Sequence, residues 1–460
     1  MAWEILQRVE EGGYADALLG RRLARSGPAR SGLARSGLAR SEATPRDQAL
    51  TTQLVYGTLA WQGYLDHIIA AFSHRPPHAL DAPVRTVLRL ALFQMTKLTR
   101  IPDFAAVDTA VNLIKRFHGG AAVSLVNAVL RRAASGWQQV KFPARADDPI
   151  GYLATALSHP RWLVGQWVER YGIDDTEALL CVNNEPAPTV LRVNRRAIES
   201  TKLLSQLSDA GYAIHAAAYS PIACTIAGGK PEDVPGYADG LFSFQGEASQ
   251  LVGFMLSPRA GERVLDACAA PGGKAMHLAE VMNDDGVIVA LDTNARGLER
   301  LRRMAQRLRL TSVRPELADA RTWQDGAGFD AVLADVPCSG LGTLRAHPEI
   351  KWRRTPGDIA ELVRLQGEIL SHVATFVRPG GALVYATCTL TDEENEAQVA
   401  GFLAAHPEFS NDDPRPYLPE RARSLVGADG MLRTFPHRHG LDGFFAARLK
   451  RSNAHGIVRR

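Results

Sequence analysis

The apolar positions of residues 1–140 recur at helical spacing. After Asp81 and Pro83, which suit the start of a helix, apolar side chains return every three or four residues. A second helix follows Pro102, and a third ends in the run 126–132. Because amphipathic helices bury their apolar stripes against one another, this pattern predicts a small all-α bundle.

Residues 156–257 combine helical and strand patterns, after a polar stretch at 141–155 that we interpret as a linker. The pattern predicts an amphipathic helix at 202–210 and strands at 189–194, near 213–218 and at 241–244. Strands interleaved with helices indicate a small α+β module.

From residue 258 to 450, strand and helix patterns alternate. Strands are predicted at 263–267, 287–291, 313–317, 329–334 and 382–386. Thr355 and Pro356 form a helix start, and the Pro-Gly-Gly run at 379–381 is predicted to stop that helix. The alternation predicts a third domain of α/β class, with a doubly wound, Rossmann-like parallel sheet.

The first of these strands leads into a turn of small residues, Cys268, Ala269, Ala270, Pro271, Gly272 and Gly273, and a helix begins near Lys274. Such a turn presents backbone N–H groups and a helix N-terminus to a ligand. Small residues allow the ligand to approach the backbone closely. The same sequence also fits a plain strand–helix connection, so the strand ends that follow decide between the two.

Three acids and two cysteines follow the later strands, where an α/β sheet binds its ligands. Asp292 ends the second strand and suits a ribose diol, because a carboxylate accepts hydrogen bonds from both hydroxyls. Asp319 follows the third strand, Asp335 and Cys338 follow the fourth, and Cys388 follows the strand at 382–386. Packing alone does not explain this concentration at one edge, so we predict a catalytic site.

Composition narrows the class of protein. The 460 residues suggest about three domains, and the net charge of +4 is compatible with a nucleic-acid partner. The sequence has no run long enough to span a membrane and no signal-peptide pattern, so we expect a cytoplasmic protein without a membrane partner. The five cysteines show neither a disulfide framework nor zinc spacing, so we expect no metal.

The chemistry at the strand ends favours methyl transfer. The chain has no strong phosphate loop and no second Gly-rich turn, so NAD or ATP fits less well than the single nucleoside of S-adenosylmethionine. Two cysteines beside a methyl donor indicate a cytosine acceptor. A thiolate that adds to carbon 6 makes carbon 5 nucleophilic enough to attack the methyl group.

Basic residues of the first two regions are candidates for RNA contacts, although a charged helix face is more often simply solvated. The candidates are Lys115, Arg116, Arg131, Arg132, His159, Arg161 and Arg192. A five-residue repeat, Ala-Arg-Ser-Gly-Pro or Ala-Arg-Ser-Gly-Leu, occupies 24–38. Its period fits neither helix nor strand, so we interpret residues 24–41 as a flexible Arg/Ser/Gly loop.

Several motifs resemble those of the RNA cytosine-carbon-5 methyltransferases of the bacterial RsmB/Sun/Fmu family. They are Ala-Cys-Ala-Ala-Pro-Gly-Gly-Lys at 267–274, Asp-Val-Pro-Cys-Ser-Gly at 335–340, Ala-Thr-Cys-Thr-Leu at 386–390 and the ending at 432–449. Residues 54–59 and 126–131 are similar to the NusB-type RNA-binding domain. The resemblance implies a NusB-like domain at 1–140, an α+β RNA-binding or linker module at 156–257 and a methyltransferase domain at 258–450.

The resemblance also implies roles for single residues. Cys388 matches the nucleophile that attacks carbon 6, and Cys338 matches a second cysteine that helps to release the product. Asp335 matches the acid near the base and the methyl donor, and Lys274 is expected to orient the catalytic groups. Residues 268–274, Asp292 and Asp319, together with Asp335, match the S-adenosylmethionine site, with Asp319 at the adenine.

The implied activity is methylation of carbon 5 of a cytidine in small-subunit (16S) rRNA, by analogy at position 967. A methyltransferase for another RNA, such as tRNA, and a non-catalytic RNA-binding assembly or antitermination factor are the alternatives. We expect a monomer that takes rRNA as its partner. Gly246 departs from the family pattern, which usually has an acid at this position.

Overall fold

The computed structural model of the chain describes residues 1–24, 44–227 and 233–453, and these residues form two compact units. The first unit contains Met1–Pro186 and Leu344–Arg353, and the second contains Ala187–Thr343 and Arg354–Arg460. Apart from Ala24, the predicted Arg/Ser/Gly loop lies outside the described residues. In the described ranges, no helix is both long and apolar enough to cross a membrane.

The first unit is all-helical in the part of the chain that the structure describes. Its helices are α1 Ala2–Glu10, α2 Ala15–Ala24, α3 Pro45–Ala60, α4 Gln62–Ser73, α5 Ala82–Lys97, α6 Asp103–Lys115, α7 Gly120–Gly136, α8 Pro149–Ala156, α9 Arg161–Tyr171, α10 Ile173–Asn183 and α15 Ile350–Arg353. Leu88 and Leu92 of α5 pack in one core with Ile68 of α4 and Leu130 of α7. The predicted helical bundle is confirmed.

Helix α8, Pro149–Ala156, begins inside the stretch at 141–155 that we interpreted as a linker. Asp148 caps the helix by accepting a hydrogen bond from the Gly151 N–H at 2.9 Å, and Pro149 occupies the first turn. Leu153 is then fully buried. The helix is too short to show a clear periodicity of apolar residues. The polar residues before it therefore determined the interpretation as a linker.

The segment Leu344–Arg353 belongs to the helical unit although its sequence neighbours belong to the other unit. Its Lys351 is fully buried and donates hydrogen bonds to Ala60 O at 2.9 Å, Ser158 O at 3.2 Å and Asn184 Oδ1 at 2.7 Å. Burial lowers the pKa of this ammonium group well below its ordinary value. These acceptors fix the segment within the unit.

The second unit begins with a four-stranded antiparallel sheet in the order β2-β3-β1-β4. Its strands are β1 Thr189–Val193, β2 Ile214–Ala216, β3 Ala223–Ile226 and β4 Phe242–Phe244, and α11 Ser200–Asp209 packs against it. The predicted α+β module is confirmed. The sequence pattern missed β3, a strand of four residues.

A larger mixed sheet forms the rest of the second unit. Its strands are β5 Arg263–Asp266, β6 Val287–Asp292, β7 Val313–Leu317, β8 Phe329–Asp335, β9 Val377–Thr387, β10 Phe409–Asn411, β11 Leu432–Thr434 and β12 Phe444–Arg451. The order is β10-β12-β9-β8-β5-β6-β7, and β11 pairs with β12. Strands β5 to β9 are parallel, whereas β10 to β12 are antiparallel additions.

Helices cover this sheet as the Rossmann-like prediction requires, and that fold class is confirmed. They are α12 Glu247–Leu256, α13 Gly273–Val281, α14 Ala295–Leu308, α16 Pro356–Ala374, α17 Glu396–Ala405 and α18 Pro436–His439. Helix α16 ends at Ala374, before the Pro-Gly-Gly run that was predicted to stop it. That run instead lies inside β9, where the pairing with β8 shifts register.

Gly57 of α3 tests the packing of the helical unit. A Cβ at this position would lie well inside van der Waals contact with the Phe93 ring of α5, whereas a Cβ at Gly165 of α9 would meet nothing within 4 Å. We expect Gly57→Ala to lower the free energy of unfolding by about 1–3 kcal/mol through overpacking. Gly165→Ala, the matched control, should raise it by up to about 1 kcal/mol, because alanine favours a helix.

Urea unfolding of both variants checks this pair of outcomes. Equal effects of the two substitutions would show that the Gly57 contact with Phe93 does not constrain the bundle.

Candidate active site

The parallel pairing of β8 with β9 places two cysteine-bearing turns side by side. Asp335, the last residue of β8, lies opposite Ala386 of β9. The Val336 N–H donates to Ala386 O at 3.2 Å, and farther along the turn the Gly342 N–H donates to Cys388 O at 3.0 Å. The turns that carry Cys338 and Cys388 are therefore held together by backbone hydrogen bonds.

The two sulfur atoms lie in contact. Cys338 Sγ and Cys388 Sγ are 3.3 Å apart, and the Cys388 N–H points at Cys338 Sγ, also at 3.3 Å. The hydrogen bond with Cys388, together with burial, raises the pKa of the Cys338 thiol well above its ordinary value. Cys338 can therefore donate its S–H to the Cys388 sulfur.

Lys274 and Asp335 form an ion pair beside the cysteines. Lys274 lies in the first turn of α13, and its Nζ is 2.6 Å from Asp335 Oδ2. Burial acts to lower the pKa of Lys274, but the Asp335 carboxylate, with smaller contributions from Cys388 and Asp266, raises the pKa overall. The site thus holds a fixed positive charge next to a carboxylate.

The small-residue turn and Asp292 form a cradle at the ends of β5 and β6. The Ala270 N–H donates to Asp292 Oδ2 at 2.9 Å, and the Asn294 N–H donates to Oδ1 at 2.7 Å. Each carboxylate oxygen keeps a lone pair for a further donor. Gly272 has φ +111°, and a Cβ there would press on Leu301, so this position requires glycine. A Cβ at Gly273 would meet nothing closer than 3.8 Å.

Asp266 is a buried acid without a partner at the base of this cradle. It is 1% exposed, and neither carboxylate oxygen has a hydrogen-bond partner. Burial, followed by the charge of Asp335, raises the pKa of Asp266 to about 7.

Comparison with known proteins identifies the family. The model of the family described as "16S rRNA methyltransferase RsmB/F" matches residues 253–450, the NusB family model matches 1–135, and a ferredoxin-like domain model of RsmF/B-like methyltransferases matches 159–231. A probable ribosomal RNA small subunit methyltransferase B of Bacillus subtilis (strain 168) is 37% identical and covers 89% of this chain and 92% of its own.

The chain belongs to the RsmB/F family of 16S rRNA methyltransferases. Ribosomal RNA small subunit methyltransferase B of Pseudomonas putida is 36% identical over 88% of this chain and 90% of its own. The crystal structure of a protein named PH0851 superposes with a TM-score of 0.80 at 26% identity and covers 98% of this chain and 97% of its own. The predicted family, an RNA methyltransferase with a NusB-type domain, is therefore confirmed.

Two further predicted site residues of this family member lie at the same sheet edge. Asp319 follows β7 and is paired with Arg321 at 2.7 Å, which in turn contacts Glu368 at 3.2 Å. Its hydrogen bonds with Arg321 lower the pKa of Asp319. Cys268 is half-buried, and burial followed by the charge of Asp266 raises the pKa of its thiol well above the ordinary value.

Arg192 was a candidate RNA contact, and that interpretation is wrong. Its side chain is fully buried, where it pairs with Glu280 at 2.7 Å and donates to Gly273 O at 2.7 Å. It therefore fixes the start of α13 from within the protein. His159 is buried as well, whereas Arg161 is exposed and pairs with Asp148 at 2.6 Å.

Sequence reasoning missed the polar residues that support the cysteine turns. Glu394 is fully buried and accepts hydrogen bonds from Ser339, beside Cys338. The sequence feature that could have pointed to Glu394 is the acidic run at 392–396, a few residues after Cys388. The described residues contain no group of three or more His, Cys, Asp or Glu side chains that could hold a metal ion.

The raised pKa of Asp266 predicts a pH-dependent cost. Unfolded Asp266 loses its proton near its ordinary pKa of 3.8, whereas the folded carboxyl keeps it up to about 7. Between these values each pH unit destabilises the native state by about 1.4 kcal/mol, and above pH 7 the cost stays constant. We expect Asp266→Asn to stabilise the cofactor-free protein by an amount that grows between pH 5 and pH 7.

Urea unfolding at several pH values measures this difference against the wild type. Asp285→Asn, at an exposed position, serves as the control. A pH-independent effect of Asp266→Asn would contradict the prediction.

Proposed function

We propose that this protein methylates carbon 5 of a cytidine in 16S rRNA, by analogy at position 967, through a covalent bond between Cys388 and carbon 6. The contact between Cys338 Sγ and Cys388 Sγ, at 3.3 Å, is the observation that carries the proposal. A plain methyltransferase needs no thiol beside its cofactor turn, whereas methylation of cytosine carbon 5 needs one to activate the base.

Cys388 is the nucleophile in this proposal because the S–H of Cys338 can stabilise its thiolate. The thiolate attacks carbon 6, and the electron pair of the 5,6 double bond moves toward N3. Asp335, held by Lys274, provides the hydrogen-bonding group at the N3 edge of the base. Carbon 5 then has the electron density to accept a methyl group.

Product release reverses the first step. A base removes the carbon 5 proton, the electron pair of that C–H bond restores the 5,6 double bond, and Cys388 leaves carbon 6 as a thiolate. Because Cys338 Sγ lies 3.3 Å from Cys388 Sγ, we assign Cys338 to this release step. The two cysteines thus have different tasks in the proposed reaction.

We further propose S-adenosylmethionine as cofactor, held by residues 268–274, Asp292, Asp319 and Asp335. When bound, it supplies an electrophilic methyl group. Asp292 keeps acceptor capacity for the ribose hydroxyls, and the open turn at Gly273 leaves room for close approach. The unpartnered Asp266 beneath the turn favours a positively charged ligand.

The proposed RNA partner has basic side chains available on the helical unit. Lys115, Arg116, Arg131 and Arg132 are all exposed. Basic groups of this kind contact phosphates without regard to sequence. The target cytidine must leave its stack to reach the sulfurs, so a loop or a flexible end of the RNA is the favoured substrate.

Bisulfite sequencing of 16S rRNA tests the substrate. A strain that lacks the gene should lose one 5-methylcytidine, at position 967 by analogy, and a plasmid copy should restore it. A plasmid copy with Cys388→Ala should not. An unchanged 16S pattern, or a loss in tRNA instead, would refute the proposed substrate.

The two cysteines should give opposite results on a denaturing gel with RNA and S-adenosylmethionine. Cys388→Ala should form no protein–RNA adduct and lose turnover by more than about 10³-fold, because the nucleophile is gone. Cys338→Ala should accumulate a covalent adduct, because release fails. Cys181→Ala, an exposed cysteine in α10, is the control and should behave as wild type. The reverse pattern for Cys338 and Cys388 would mean that their roles are exchanged.

A further inference from the structure

Glu394 is a buried carboxylate that four uncharged donors surround. Its Oε1 accepts from the Ser339 N–H at 2.7 Å and from Gln366 Nε2 at 2.9 Å. Its Oε2 accepts from Ser339 Oγ at 2.5 Å and from Thr391 Oγ1 at 2.6 Å. Glu394 is fully buried, so these donors replace the water that a carboxylate otherwise requires.

The donors belong to the two turns that carry the cysteines. Ser339 directly follows Cys338, and its hydroxyl also contacts Thr389 Oγ1 at 2.6 Å, the residue directly after Cys388. Each cysteine is therefore followed by a hydroxyl residue, and the two hydroxyls meet each other at the Glu394 carboxylate. The link between the turns is made by side chains as well as by the backbone.

Neighbouring residues complete this link. Gln366 of α16 donates to Pro337 O at 2.9 Å, on the other side of Cys338. Asn395, next to Glu394, donates to Thr389 O at 3.1 Å and accepts from the Thr387 hydroxyl, so it holds both sides of Cys388. Residues before and after each cysteine are thus fixed by one connected network.

We propose that Glu394 is a positioning residue that fixes the separation of the two cysteine sulfurs. It touches neither sulfur and acts through Ser339 and Thr389. The catalytic consequence rests on the proposed function, in which Cys388 attacks while Cys338 donates. The positional consequence, the contact of the two sulfurs, does not depend on that function.

The chemistry of the donors explains why this position needs a hydrogen-bond acceptor at Oε1. The Ser339 N–H and the Gln366 amide can only donate at Oε1, so they need an acceptor there. At Oε2 both partners are hydroxyls, which rotate and can accept instead. Glutamine can therefore keep the network, whereas alanine leaves several buried donors without partners and frees the turns to move.

The test compares Glu394→Ala, Glu394→Gln and the control Glu393→Ala in the full-length protein. Glu393 is the exposed neighbour in sequence. Dibromobimane, a thiol reagent that becomes fluorescent when it joins two sulfurs, reports whether Cys338 and Cys388 still meet. A 16S rRNA transcript with 5-fluorocytidine in place of cytidine, supplied with S-adenosylmethionine, reports the rate of adduct formation.

We expect Glu394→Ala to slow adduct formation by about 10²-fold, as a displacement of about 1 Å can do, and to slow the bimane cross-link as well. Binding of S-adenosylmethionine, measured by calorimetry, should stay within about twofold, because the cradle is built separately. Glu394→Gln should recover most of both rates. Glu393→Ala should match the wild type throughout.

Ser339→Ala is a smaller change to the same network, in case Glu394→Ala does not fold. It should also slow the bimane cross-link between Cys338 and Cys388. Wild-type rates of cross-linking and adduct formation in the folded variants would overturn the proposal. So would a loss of cofactor binding equal to the loss of adduct formation. A wild-type protein that forms no adduct would refute the proposed function alone, since the cross-link still tests the position of the sulfurs.

Discussion

The register between β8 and β9 is the constraint on which the rest of the site depends. With Asp335 opposite Ala386, the turns after both strands leave the sheet at the same level and bring Cys338 into contact with Cys388. A slip of one residue would turn the side chains of one strand to the opposite face. The flanking strand β5 then supplies the small-residue turn, and Asp292 and Asp319 follow from β6 and β7, so five adjacent strands carry the residues of the site.

Charge at this edge is unevenly distributed. Acids dominate, and Lys274 is bound to one of them, Asp335. Asp266 remains buried without a partner. Such a site lowers the stability of the ligand-free protein. It favours binding of a cationic ligand, because the ligand supplies the missing counter-charge. This relation gives one physical reason why a sulfonium cofactor suits the position better than an anionic nucleotide.

The sequence was informative where chemistry follows directly from chain order. The carboxyl ends of parallel strands share one edge, so the positions of Cys338 and Cys388 could be inferred once the strands were recognised. Arg192 was misjudged and Glu394 was missed. Their partners are distant in sequence, and no periodicity marks a buried ion pair or hydrogen-bond network. The antiparallel strands β10 to β12 were also missed, since two of them have only three residues. The domain boundaries drawn from the sequence stay predictions.

The segment Leu344–Arg353 has a consequence for how this protein can be taken apart. Because it packs within the helical unit but lies between two stretches of the other unit, the chain passes from one unit to the other more than once. A single cut after Pro186 would leave the N-terminal fragment without Lys351 and Trp352. In the C-terminal fragment, the Lys351 ammonium group would lose its hydrogen-bond acceptors. Neither unit can therefore be exchanged as one continuous segment of the chain. Recombination that swapped the helical unit for another would have to preserve ten residues encoded far downstream.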